Sequence, residues 1–131
     1  MKQVTWTGAD RIFDGNGSNL GGFLQLGATP AVAIYAGTDF TNSNTNLAVG
    51  SFGVIRLLFS GAASTLRVNE TAATTGNPGA NDMGGFTLAA EGGGTNRWAN
   101  IQVKEIILRK IADAAADELT IYTYLKNKYA L

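Results

Sequence analysis

Apolar and polar positions alternate in short runs through most of this chain and change period only near its end. Residues 3–6 and 11–13 are brief extended runs, divided by Gly8 and closed by the turn Asp14-Gly15-Asn16-Gly17-Ser18. Residues 23–26 and 31–36, bounded by Gly21-Gly22, Gly27, Pro30 and Gly37, are rich in Phe, Leu, Val, Ile and Tyr and predict two strands. A polar loop follows at 42–46. Residues 54–59 and 65–69 flank Ser60-Gly61-Ala62-Ala63-Ser64 and form the clearest hairpin of the chain. The stretch 70–85, with Pro78, reads as surface loop, and 86–90 restores the period of two.

The pattern then changes. Residues 101–111 do not alternate cleanly, because Ile106, Ile107 and Leu108 are consecutive. Such a run suits a strand covered on both faces, so 101–111 is expected to be the central strand of the sheet. Residues 113–128 supply the one helix. Asp113 is its expected N-cap, Asp117 and Glu118 sit at the positive end of its dipole, and Lys126 and Lys128 sit at the negative end. Ile121, Tyr122, Leu125 and Tyr129 make one apolar stripe, expected to face the sheet.

The chain has 131 residues, enough for a single domain with its own core, and no internal repeat is visible. Its 45% hydrophobic content, 15% charged content and 17 glycines suit a β-rich domain with many tight turns. Ten basic and ten acidic residues cancel, which argues against nucleic acid or an anionic membrane as a partner and leaves the protein prone to association. No apolar run approaches the roughly 20 residues that span a bilayer. The first residues carry no apolar segment of signal-peptide type, so a soluble protein is expected.

The residue inventory limits the chemistry. There is no cysteine and no histidine. Serine or cysteine nucleophiles activated by imidazole are therefore excluded, as are thiolate and imidazole metal sites. Asp14, Asn16 and Ser18 have the first three spacings of a calcium loop, but Asn19 stands where that loop needs glycine and Gln25 where it needs glutamate. A plain turn accounts for the same residues, so no metal or other cofactor is expected, with calcium the alternative there. The glycines at 92–94 precede a strand rather than a helix, so they form a flexible loop and not a phosphate cradle. Trp98, with Asn96, Arg97 and Asn100, is the best ligand-binding candidate, since an aromatic face stacks on a sugar while amides and guanidinium groups hold its hydroxyls. The competing and favoured assignment has Trp98 filling the sheet edge beneath the loop. Trp6 is either core or an anchor into a neighbouring subunit.

Residues 84–90, the glycine-rich loop, Ile101-Gln102-Val103-Lys104-Glu105-Ile106-Ile107-Leu108-Arg109 and the helix ending Tyr124-Leu125-Lys126-Asn127-Lys128-Tyr129 together resemble the C-terminal half of concanavalin A-like, laminin-G-like jelly-roll domains. The resemblance covers about residues 50–131, and the opening strands of the family are compressed or missing. It implies an antiparallel β-sandwich with one C-terminal helix, and an edge-loop calcium of the kind common in the family keeps Asp10, Asp14, Asp39 and Asp82 in view. The nearest versions are those of tailed-phage virion proteins. Glycosidases on this fold carry an alternating acidic set on one strand, whereas Glu105 has only Val103 and Ile107 as same-face neighbours and is expected to pair with a basic side chain or backbone N–H groups. The expected function is thus non-catalytic. It is that of a structural or adhesion module on a virion surface, a capsid decoration or fibre-like protein, with other virion subunits or a second copy as partners and Trp6, Tyr122 and Tyr129 in the interface. The alternative is a lectin-like carbohydrate-binding module, with loops 42–46, 76–84 and 91–98 gathered around a surface glycan.

Overall fold

The computed structural model describes residues 1–40 and 46–131; of the polar loop expected at 42–46, residues 42–45 lie outside the described residues. The protein is mainly β, with three antiparallel sheets and one C-terminal helix. Strands β2 (Arg11–Asp14), β3 (Gly22–Gln25), β4 (Val32–Tyr35), β5 (Asp39–Phe40) and β9 (Thr87–Leu88) form a five-stranded sheet in the order β5-β4-β3-β2-β9. Strands β6 (Ile55–Leu58), β7 (Ser64–Val68) and β8 (Thr74–Gly76) form a three-stranded sheet, in which the expected hairpin pairs Ile55 with Val68 and Leu58 with Thr65. Strand β1 (Lys2–Gln3) pairs with β10 (Ile101–Gln102). The α-helix, α1, covers Ala115–Tyr129.

The core draws on both larger sheets. Ile12, Phe23, Val32, Ile34, Leu47, Leu66, Val68 and Ala99 form one buried cluster, against which Met1, Phe13, Phe40, Ile55, Leu57, Phe59 and Ile101 pack. Burial of aliphatic and aromatic surface from both sheets is the main favourable contribution, at about 25 cal/mol per Å² of apolar area removed from water. Two fully buried amides stitch β1 into this core. Gln25 Nε2 donates to Gln3 Oε1 at 2.7 Å and to the Thr5 carbonyl at 2.8 Å, while Gln3 Nε2 donates to the Leu47 carbonyl at 2.6 Å. Buried amides without such partners would each cost a few kcal/mol, so the network fixes where the first strand sits.

Residues 101–111 depart from the expected long central strand. Only Ile101 and Gln102 enter a ladder; among the described residues 103–111 have no ladder partner, and Ile106, Ile107, Leu108 and Ile111 are 41–72% exposed. The physical reason is local. A strand needs a neighbour to accept and donate its backbone hydrogen bonds, and among the described residues only Lys2 and Gln3 supply one, to Ile101 and Gln102, before the chain bends at Lys104. The other strands match expectation more closely, although the first shortens to Lys2–Gln3 and the run at 86–90 to Thr87–Leu88, and the stretch 70–85, expected as surface loop, instead supplies β8, which pairs with β7 and buries Thr74, with Pro78 buried just after it.

The helix also differs in detail. It starts at Ala115 with Ala114 at the N-cap position and no side-chain cap, because Asp113 is engaged by Arg109 Nη2 at 2.9 Å. Of the expected apolar stripe, only Tyr122 is buried, while Ile121, Leu125 and Tyr129 are half-buried. Charged pairs hold the helix instead. Glu118 accepts from Arg56 Nη1 at 2.9 Å, Lys126 pairs with Glu70, and Lys128 Nζ lies 3.0 Å from Glu105 Oε2. Glu105, expected to meet a basic partner, thus finds Lys128, and it also accepts from the Tyr129 hydroxyl at 2.8 Å.

These partners hold two carboxyls below their usual range, Glu105 chiefly through the hydrogen bond from Lys128 and Glu70 chiefly through that from Lys126. A depressed carboxyl contributes stability above its unfolded value, about 4.3 for glutamate, and loses it as pH falls through the folded value. Acidification through and below that range should therefore loosen α1 before the sheets. Amide exchange followed by NMR should show helix amides accelerating at a pH where those of Val32–Tyr35 are unchanged; simultaneous loss of both would contradict an ionic clamp.

Candidate functional site

The glycine-rich loop and the Trp98 segment are placed by one buried acid. Asp14, the last residue of β2, is fully buried. Its Oδ1 accepts from the Gly15 N–H at 2.9 Å, and its Oδ2 accepts from the Gly92 N–H at 3.1 Å and the Asn19 N–H at 3.4 Å. One carboxylate therefore joins the 15–19 turn to the 91–94 turn. Ser18 Oγ adds a bond to the Gly92 carbonyl, and a Cβ on Gly92 would fall 2.2 Å from the Gly17 carbonyl oxygen, so only glycine lets the two turns meet. The loop expected to be flexible is pinned at its start. Of the calcium candidates, Asp14 spends both oxygens on backbone donors, Ser18 donates to Gly92, and Asn16 lies against Gly84 and Gly85. Among the described residues no group of three or more acidic, histidine or cysteine side chains could hold a metal ion.

Arg11 completes this knot, and sequence reasoning overlooked it. Its guanidinium is buried, with Nε 3.8 Å from Asp14 Oδ2, Nη2 donating to Asn19 Oδ1 at 2.5 Å, and the group lying 5.3 Å from the Tyr35 ring centre. An opposite charge three residues along one short strand, Arg11 and Asp14 of β2, was the available signal. A buried charge is tolerable only when paired and hydrogen-bonded; Arg11 meets this in part, with Nη2 bonded to Asn19 and Asp14 nearby, while Nε and Nη1 are buried without a hydrogen-bond partner among the described residues.

On the outer side of the knot lie the residues expected to bind a ligand. The backbone of Arg11 bonds to the Arg97 carbonyl at 2.9 Å and bridges to Trp98 in parallel, which sets that segment beside β2. Arg97 Nη1 lies 3.5 Å from Glu91 Oε1 and 3.3 Å from Asn19 Oδ1. Trp98 is 63% exposed, with its indole N–H donating to the Gly94 carbonyl at 3.3 Å. That exposure overturns the reading in which Trp98 fills the sheet edge; Ala99, next to it, takes the buried position. Asn96 and Asn100 are exposed, and among the described residues their side chains make no hydrogen bond.

The residues expected at a partner interface are occupied within the chain. Tyr122 is buried, with Arg56 4.4 Å above its ring and its hydroxyl on Glu70. Trp6 is half-buried and donates its indole N–H to the Ala31 carbonyl at 2.8 Å, and Tyr129 is held by Glu105. Besides Trp98, the large apolar side chains at the surface are Ile106, Ile107, Leu108, Ile111 and Leu119, with Val49, Phe86, Leu88 and Tyr124 elsewhere. Comparison with family models, with curated proteins and with solved structures returned no match to this chain.

Replacing Asp14 with alanine removes the bond between the turns and leaves Arg11 buried beside no acid. We expect Asp14→Ala to cost about 3 kcal/mol in urea unfolding, and to raise the mobility of the Trp98 indole in fluorescence anisotropy. A loss below about 1 kcal/mol would show that the carboxylate is not the knot.

Proposed function

We propose that this protein is a non-catalytic assembly module of jelly-roll type, working as a surface component of a virion, in the manner of a capsid decoration or fibre-like protein. The observation that carries the reading is the exposed apolar run. Ile106, Ile107, Leu108 and Ile111, with Leu119 at 59%, present branched aliphatic side chains to solvent within a chain of no net charge. Contiguous apolar surface of this kind marks interaction sites, because its exposure costs free energy that a partner restores. Two antiparallel sheets that share one core suit the jelly-roll assignment, and the resemblance over residues 50–131 directs it toward virion proteins.

A second reading rests on Trp98. An exposed indole braced through its own N–H, beside Arg97 and the free amides of Asn96 and Asn100, has the chemistry of a sugar-stacking platform. A fibre-like virion protein could carry both surfaces, one for assembly and one for a glycan.

The two surfaces separate by mutation. A Leu108→Asp/Ile111→Asp double variant places charge on exposed positions, so it should fold normally by circular dichroism while its incorporation into particles drops on the order of tenfold, the equivalent of about 1.4 kcal/mol. Unchanged incorporation would sink the assembly reading. Trp98→Ala should leave incorporation intact and abolish retention on a glycan array; a folded Trp98→Ala protein that retains wild-type glycan binding, or a wild-type protein that binds no glycan, would remove the second reading.

A further inference from the structure

Asn16 and Gly17, in the middle of the 15–19 turn, bring together two groups able to react with each other. Every other asparagine of the chain precedes a residue with a side chain; Asn16 alone precedes glycine. A side chain on the following residue screens its backbone nitrogen, and glycine has none, so the Gly17 nitrogen is open to the neighbouring amide. Both groups are free. Asn16 is exposed, its side chain makes no hydrogen bond among the described residues, and the Gly17 N–H has no acceptor among them. The amide also has room to turn, because Gly84 and Gly85 lie beside it, and a Cβ on either would fall 2.8 Å from an atom of Asn16. Other asparagines are held: Asn19 Oδ1 accepts from Arg11 and Arg97, and Asn69 Oδ1 accepts from the Val54 N–H.

We propose that Asn16 is a site of spontaneous deamidation, whose isoaspartate product releases the 15–19 turn from the 91–94 turn. The Gly17 nitrogen gives its proton to hydroxide and attacks Asn16 Cγ. As the new C–N bond forms, the bond from Cγ to the side-chain nitrogen breaks, and that nitrogen leaves as ammonia after taking a proton from water. The product is a five-membered succinimide. Water then opens the ring at one of its two carbonyl carbons. Opening at Cγ gives aspartate; opening at the main-chain carbonyl carbon gives isoaspartate, in which the chain runs through Cβ and Cγ. Overall one water enters and one ammonia leaves, with no redox change and no partner.

The isoaspartate form does not fit the knot. Asp14 spans the turn, with Oδ1 on the Gly15 N–H and Oδ2 on the N–H groups of Asn19 and Gly92. The reaction adds one carbon to the main chain inside that span. It also places a negative charge two residues from the buried Asp14 carboxylate, in a chain whose formal charges otherwise cancel. Gly17 has no slack to absorb the change, since its carbonyl oxygen would lie 2.2 Å from a Cβ on Gly92. The lengthened turn therefore moves away from Gly92 and gives up the Ser18–Gly92 bond that helps to pin the loop leading to Trp98. The firmness of the Trp98 side declines as the molecule ages.

Peptide mapping by mass spectrometry tests this on the full chain, aged at physiological temperature in mildly alkaline buffer. Isoaspartate should accumulate at Asn16, faster as pH rises because the attacking nitrogen must first lose its proton. Its rate should lie within about tenfold of that in the urea-unfolded chain; a rate lower by ~10³ or more, the size of a folding equilibrium constant, would confine the reaction to unfolded molecules and overturn the site. Modification of other asparagines with Asn16 intact would overturn it too. In Gly17→Ala the added Cβ meets only the Leu20 side chain, at 3.2 Å, so the variant should stay folded. It should slow the reaction on the order of tenfold, about 1.4 kcal/mol on the barrier, and an undiminished rate would contradict attack by the Gly17 nitrogen. The isoaspartate form, separated by its extra negative charge, should exchange its Gly92 amide about tenfold faster or more, with residues 32–35 unaffected. Asn16→Asp carries the charge without the added carbon and should keep Gly92 protected. Unchanged exchange at Gly92 in the isoaspartate form, or equally fast exchange in Asn16→Asp, would overturn release by the lengthened main chain.

Discussion

The structure depends on the placement of β1. Residues 1–5 bond through their backbone to residues 50–53 on one side and 100–102 on the other, and thereby hold these segments of the fold together. The buried Gln3–Gln25 pair locks that strand against the five-stranded sheet. An amide is well suited to the position. It must be hydrogen-bonded once buried, its donors and acceptors point in fixed directions, and a shift by one residue would turn it to the opposite face. The same constraint sets the weakness of the fold. Past the short ladder with β1, residues 103–111 have no strand partner among the described residues, and Ile106, Ile107, Leu108 and Ile111 remain in solvent.

The two ends of the molecule are consequently held by different forces. Around Asp14 and Arg11 a buried carboxylate and guanidinium tie β2, the 15–19 turn and the 91–94 turn into a rigid knot, with Trp98 braced on its outer side. Around α1 the contacts are ion pairs and tyrosine hydroxyls, and only Tyr122 is buried. Exposed ion pairs contribute little individually and hold long side chains in place at an entropic cost. The helix and residues 103–111 are therefore held more weakly than the Trp98 side.

Much of the fold was legible from short-range pattern. The hairpin of β6 and β7, the β3 and β4 strands and the helix all follow from periodicity and from turn residues that admit few conformations. Residues 101–111 misled because an unbroken apolar run reports what a segment can be buried against and not whether that neighbour is present. Asp113 misled because Arg109, four residues before it, competes for its carboxylate. The site was half legible. Trp98, Arg97 and their flanking amides stand together at the surface, yet Arg11 and the second role of Asp14 depend on contacts to residues 19 and 92, distances in sequence that no local pattern encodes. The aromatic residues expected to serve an interface, Tyr122 above all, make contacts inside the chain, and the aliphatic residues at 106–108 and 111, expected to be core, stand exposed.

The most direct measurement of the assembly claim is the copy number of this protein in purified particles from its source, by quantitative mass spectrometry against the major shell protein. A decoration role predicts a simple stoichiometry, one copy per shell subunit or a small fraction of it, and a fibre role predicts a few copies per particle. Absence from every particle fraction, with the protein recovered free, would contradict a virion component and leave only the glycan-binding surface around Trp98.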